Sequence, residues 1–196
     1  MEKQKYIFFT GAGISADSGI PTFQDQPGIR AKLTRSFAEE NPGEFRQILR
    51  KMLEACEEAR PNAAHYAIAE LDGPVITMNV DGLHAKAGSS RVIDVHGKLP
   101  TKEQLEAPDF LSACTDIVLY DDVAPKYDDA MKLVKNLEYG KSHFIIVGTS
   151  FATEISRKLL KLAKQKKATV IVIDENAAER VPVICNNLKH IYGKKE

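Results

Sequence analysis

Residues Tyr6-Ile7-Phe8-Phe9-Thr10-Gly11-Ala12-Gly13-Ile14-Ser15 form a continuous apolar and β-branched run that stops on two glycines. A run of this kind, bounded by turn formers, predicts a strand buried on both faces, as in a parallel sheet. Glycines placed directly after it let the backbone approach a diphosphate closely, and the turn that follows points free N–H groups at an anion. Similar runs recur at Val75–Thr77, Val92–Val95, Ile117–Tyr120, Phe144–Val147 and Thr169–Ile173. Helical patterns lie between them. Phe45, Ile48, Leu49, Met52, Leu53 and Cys56 follow the spacing of one buried helix face, Ala64–Leu71 follows a cap at Asn62, and Ala130–Leu137 and Glu154–Ala163 complete the set. This alternation predicts an α/β fold: a doubly wound, Rossmann-like parallel sheet with right-handed crossovers. Residues 1–196 read as a single domain, with less regular segments at about 22–60 and 98–115 as insertions that build a reduced second lobe or a lid.

The glycine loop departs from the common dinucleotide fingerprint. Ala16 stands where the third glycine belongs, and residues 30–60 read as helix where a second strand with an acidic end is required. A hydride-transfer dehydrogenase is therefore disfavoured, and a tight strand-to-helix turn is the plain alternative for the two glycines. Asn79 and Asp81 follow the second run, and His96 follows the third. In an open α/β sheet, groups beyond the carboxyl ends of strands converge, which would bring these residues to Gly11–Ser15 and Gly148–Ser150. A histidine beside an amide and a carboxylate suits general-base work, and a turn histidine before Gly97 is the other reading of His96. His65 and His84 sit inside helical patterns and read as packing or capping residues.

Composition narrows the classes. The chain has 196 residues, with 27 Lys and Arg balanced by 27 Asp and Glu, so no cationic excess is available to neutralise phosphates and no direct nucleic-acid binding is expected. No stretch has the run of apolar residues that a membrane helix needs, and the start predicts no signal peptide. Cys56, Cys114 and Cys185 are isolated and carry no CxxC spacing, so no zinc site is expected and a reducing, cytoplasmic setting is.

Longer strings are more specific. Gly11-Ala12-Gly13-Ile14-Ser15 with Ser18-Gly19-Ile20-Pro21 and Phe23 resembles the first signature of the sirtuins, the NAD-dependent protein-lysine deacylases. Arg60-Pro61-Asn62-Ala63-Ala64-His65 resembles their Pro-Asn-x-x-His helix start, and Thr77-Met78-Asn79-Val80-Asp81-Gly82-Leu83-His84 their Thr-Gln-Asn-x-Asp-x-Leu-His motif. Val95-His96-Gly97 is similar to the Leu-His-Gly that carries the catalytic histidine, and residues 144–150 to the late strand ending in Gly-Thr-Ser. The resemblance spans about residues 6 to 176. It implies NAD and an acyl-lysine protein or peptide as partners, with catalytic roles for His96 and Asn79. His96 would take a proton from the ribose hydroxyls, while Asn79 and Asp81 line the nicotinamide pocket. The backbone N–H groups of Ala12, Gly13 and Ile14 would hold phosphate, assisted by Thr149 and Ser150, and Gly11, Ser15 and Gly148 would also contact the cofactor. Phe23 would cover the ribose, Asp174 and Asn176 would lie near the adenosine ribose, and the segment of Tyr120, Asp121 and Val123 would pair with the acyl-peptide.

The departures from that pattern are specific too. Thr22-Phe23-Gln24 replaces an Asp-Phe-Arg triplet, Met78 replaces a glutamine, and Asp174 replaces an asparagine. Residues 98–115 replace the family's zinc module with its two Cys pairs, which makes this a minimal member without that module. Three readings follow: a deacylase that releases nicotinamide and O-acyl-ADP-ribose, a sirtuin-like NAD glycohydrolase or ADP-ribosyl transferase, and a non-catalytic NAD or ADP-ribose binding module.

Overall fold

Strand β1 (Tyr6–Thr10) alternates between two buried faces: Ile7 and Phe9 enter one core and Phe8 the other. The two-residue period of a strand imposes that alternation, and burial on both sides requires an apolar residue at each position. The computed structural model describes residues 3–22 and 28–193. A 3-10 segment (Ala12–Ser18) follows β1, and then come helices α1 (Ile29–Lys32), α2 (Arg35–Glu40), α3 (Pro42–Glu58) and α4 (Ala63–Glu70). The middle of the chain contains β2 (Val75–Thr77), α5 (Leu83–Lys86), β3 (Val92–Asp94), α6 (Lys102–Glu106) and α7 (Phe110–Ala113). It ends with α8 (Tyr127–Lys135), β4 (His143–Val147), α9 (Glu154–Gln165), β5 (Thr169–Ile173) and α10 (Ala177–Tyr192).

The sheet has the order β3-β2-β1-β4-β5, and each pairing is parallel. The chain winds outward from β1 through β2 to β3, then crosses back to β4 on the other side. Its direction therefore reverses between β1 and β4, and the crevice outside their carboxyl ends is where a doubly wound sheet binds ligands. On one face, Ile7, Phe9, Phe144 and Ile146 pack against Val134 of α8 and Ile155, Leu159 and Ala163 of α9, whose spacing of four forms one helical stripe. On the other face, Phe8, Ile145 and Val147 pack against Ile68 of α4 and Val181, Cys185 and Leu188 of α10. A third cluster joins Leu33, Phe45 and Leu49 to Leu105, Phe110, Cys114, Ile117 and Leu119. Among the described residues no helix is long and apolar enough to cross a membrane.

The expected strand at Ile117–Tyr120 does not join the sheet. Ile117 and Leu119 are buried, but in the third cluster, and the backbone pairs with the chain that leaves β3: Lys98 N–H donates to Asp116 O at 3.1 Å and Val118 N–H to His96 O at 3.0 Å. A Cβ on Gly97 (φ 73°) would lie 1.6 Å from Asp116 O, so only glycine permits this approach. Apolar alternation in this run answers to the helical cluster rather than to a neighbouring strand. Helix α10 was not expected from the pattern, and Pro182 inside it interrupts the ladder that a periodic reading relies on.

Two histidines fill the space between α4, α5 and β1. His65 completes the cap of α4, its Nδ1 accepting from Asn62 N–H at 3.3 Å, and His84 Nε2 bonds Thr10 Oγ1 at 3.0 Å. Their ring centroids are 4.9 Å apart, and His65 Nε2 and His84 Nδ1 are buried without a partner. Burial, with His65 adding to it, lowers His84 from 6.5 to about 3. The unfolded chain takes a proton on His84 near pH 6.5, whereas the folded chain resists until about pH 3, so stability rises with pH across that window. Urea unfolding should show a loss of at least ~1 kcal/mol between pH 7 and pH 5. His84→Gln should flatten that slope, and parallel slopes for the two proteins would contradict the assignment.

Candidate active site

All five strands end on groups that face one cleft. Gly11, Ala12 and Gly13 follow β1, Met78 and Asn79 follow β2, His96 follows β3, Gly148, Thr149 and Ser150 follow β4, and Asp174, Glu175 and Asn176 follow β5. The cleft they line holds about 760 Å³. Its floor is a contact between two backbones. Gly148 adopts φ 60°, a Cβ on it would lie 2.4 Å from Ile14 N, and a Cβ on Gly13 would lie 2.6 Å from Gly148 Cα. The amides of Gly13 and Ile14 donate to Gly148 O at 3.0 Å and Gly11 O at 3.2 Å, which fixes the curve of the loop. Thr149 Oγ1 is buried without a partner, an acceptor and donor held ready on the β4 side.

Behind the loop runs a polar chain. Asn79 Nδ2 donates to Gly11 O and to Ser15 Oγ, each at 3.1 Å. Ser15 Oγ donates to Asp81 Oδ2 at 2.7 Å, and Asp81 Oδ1 accepts from Leu83 N–H at 2.8 Å. Each buried acceptor is thereby satisfied, which a low-dielectric setting demands. Asn62 adds Nδ2 bonds to Ile14 O at 2.8 Å and Ser18 Oγ at 3.0 Å, so the cap of α4 also holds the 3-10 segment.

His96 is oriented from both ends. A carbonyl can only accept, so the 3.0 Å contact between Nδ1 and Met78 O places the proton on Nδ1 and leaves Nε2 basic. Burial lowers His96 below its ordinary value, opposed by the bond to Met78 O. A neutral imidazole at pH 7 whose acceptor nitrogen is at a cleft can act as a general base.

The structure divides the expected residues into groups. Gly11, Ala12, Gly13, Asn79 and His96 line the cleft with Gly148, Thr149, Ser150, Asp174, Asn176 and Tyr120. Ile14 is buried in the core, and Ser15 and Asp81 lie behind the loop as its support. Asp121 caps α2, accepting from the backbone of Arg35 and Ser36, and Val123 is 91% exposed. Phe23 falls outside the described residues, as does Gln24. Sequence reasoning missed Asp17, Arg30, Phe151 and Thr153, which also line the cleft, and Tyr127, whose hydroxyl lies 3.2 Å from His96 Nε2. Arg30 carried a readable signal, being a cation in the segment that follows the glycine loop. Tyr127 carried none, since it reaches His96 across 31 residues.

A model of the Sir2 family matches residues 11–109. An NAD-dependent protein deacetylase of Bacillus cereus is 31% identical over 208 residues, covering 89% of this chain and 84% of that protein. NAD-dependent protein deacylase 2 of Archaeoglobus fulgidus is 31% identical over 220 residues, covering 93% and 85%. A solved Sir2 homologue, a mutant in complex with 2′-O-acetyl-ADP-ribose, superposes with a TM-score of 0.81 at 25% identity, covering 99% of this chain and 95% of that one. The likeness thus extends over the sheet, the loop and the cleft together, and the chain belongs to the Sir2 family.

Proposed function

We propose that this protein is an NAD-dependent protein-lysine deacylase that releases nicotinamide and O-acyl-ADP-ribose. The observation that carries the reading is His96: neutral, held by Met78 O, with Nε2 at the cleft that Asn79 and the glycine loop share. The cleft's chemistry fits NAD. Its glycine floor admits a diphosphate without a side chain in the way, the unpartnered Thr149 hydroxyl can meet a phosphate oxygen, and Asp174 can accept from ribose hydroxyls. Arg30 supplies a cation at the cleft from the segment where Gln24 replaces the family's arginine.

NAD is a substrate in this reading: the acyl-lysine oxygen displaces nicotinamide from the ribose, a ribose hydroxyl then attacks the acyl carbon, and water completes the transfer as the free lysine amine departs and the acyl group stays on the ribose. His96 takes the proton of that hydroxyl on Nε2. Asn79, tied to Gly11 O and Ser15 Oγ, keeps the loop in register with the end of β2, and Asp81 anchors Ser15 from behind. Tyr120 lines the cleft, and in this reading it meets the acyl-peptide. The protein works without zinc in this reading, since Cys114 and Cys185 are buried in separate clusters and Cys56 in neither. Three free cysteines fit a reducing cytoplasm.

One observation favours a second reading, an NAD glycohydrolase or ADP-ribosyl transferase. The segment from Tyr120 to Val123 is not a sheet strand, and its carboxylates are turned to Arg35 and Ser36 rather than left toward a peptide.

Nicotinamide release from NAD, followed by chromatography with and without an acetyl-lysine peptide, separates the two. Release that requires peptide and yields O-acetyl-ADP-ribose is expected, and peptide-independent release of ADP-ribose would establish the second reading. His96→Ala should lower turnover by at least ~10²-fold while NAD binding stays measurable by calorimetry. Gly148→Ala should do the reverse of that pattern. Its Cβ would push the two loops apart, so NAD affinity should fall by at least ~10-fold, and unchanged affinity would remove the glycine contact from the binding site.

A further inference from the structure

Tyr127 opens α8, on the helix that packs against the β1 and β4 face of the sheet. Its ring lies against that core while its hydroxyl reaches His96, with ring centroids 6.2 Å apart and the oxygen 3.2 Å from Nε2. Because Met78 O holds the ring proton on Nδ1, Nε2 is an acceptor, and the tyrosine hydroxyl is the donor in this contact. Nε2 has one lone pair in the ring plane. A ribose hydroxyl that gives its proton to His96 needs the same lone pair, so the two hydroxyls compete for one position.

We infer that Tyr127 is a positioning residue for His96: its hydroxyl holds Nε2 toward the cleft and is displaced by the ribose hydroxyl when NAD binds. The inference rests on the assignment of His96 as the base. It adds a residue to that machinery, one that acts through the imidazole and touches no substrate. The surroundings give this contact an electrostatic meaning. His96 responds to burial and, against it, to Met78 O. Burial, with Glu154 of α9 and Tyr120 adding to it, raises Tyr127 and keeps its hydroxyl protonated and able to donate. Burial raises Asp94, at the end of β3, with Lys126 and Lys98 opposing the shift and Asp81 adding to it. A phenol is a good donor and a poor acceptor, so its bond favours the neutral imidazole over the imidazolium.

Tyr127→Phe removes the oxygen and keeps the ring in the core. With that donor gone, His96 should titrate about half a unit to one unit higher in protein without NAD, read by ¹⁵N NMR of the imidazole with His96→Asn to assign it. Saturating NAD should erase the difference between Tyr127→Phe and wild type. In turnover, the acidic limb of kcat/KM, which reports the free enzyme, should move upward by the same amount, and the limb of kcat should stay in place. Identical His96 titrations in the two proteins without NAD would overturn the inference, as would a difference that persists with NAD bound. The NMR titration needs no turnover. Failure of the deacylase reading would appear instead as no peptide-dependent nicotinamide release by wild type, whatever the titration shows.

Discussion

Where the backbones of Gly13 and Gly148 touch, two loops from neighbouring strands close into one surface, and most of the site follows from that contact. The amide of Gly13 donates to Gly148 O, and neither residue could carry a Cβ without displacing the other chain. β1 and β4 are adjacent because the winding of the sheet reverses between them, so the contact lies at the place where such a sheet opens a crevice. The topology supplies the opening, and the two glycines make its floor thin enough for a diphosphate to approach main-chain groups.

Support for that floor comes from polar side chains, of which Asn79 lines the cleft and the others lie behind it. Asn79, Ser15 and Asp81 form a continuous chain of bonds from Gly11 O to the start of α5, and Asn62 holds the 3-10 segment from the cap of α4. Such a chain is costly unless every member is satisfied, and here each bond also fixes a loop. The same logic explains His96. One nitrogen is spent on Met78 O so that the other has a defined state, and the imidazole is neutral because it is buried. Orientation and basicity thus come from a single placement.

Much of this was readable in the residues. The buried strands were visible because parallel strands are apolar on both faces, and the groups after Thr10, Thr77, Val95 and Val147 could be placed because open sheets gather them at one end, while those after Ile173 followed only from the family resemblance. The run Ile117–Tyr120 misled because burial in a helical lobe and burial in a sheet leave the same apolar signature over four residues. Ser15 and Asp81 could be assigned to the site but not to its second layer, since periodicity does not say which side of a loop a hydroxyl faces. Tyr127 shows the limit most clearly. Its meaning depends on a 3.2 Å contact between segments distant in sequence, and no local pattern encodes that distance.

Helix α10 has a consequence for the order in which the protein assembles. Phe8, near the beginning of the chain, shares its core with Val181, Cys185 and Leu188, near the end. That face of the sheet has only α4 to cover it until those residues have left the ribosome, and β1 itself must wait for β4 to gain its second neighbour. Closing loops of this length before any contact repays them makes folding slow, and the half-covered face is open to misassociation meanwhile. Shortening the chain within α10 would therefore leave a nascent sheet that can form its strands but cannot leave the aggregation-prone stage of its synthesis.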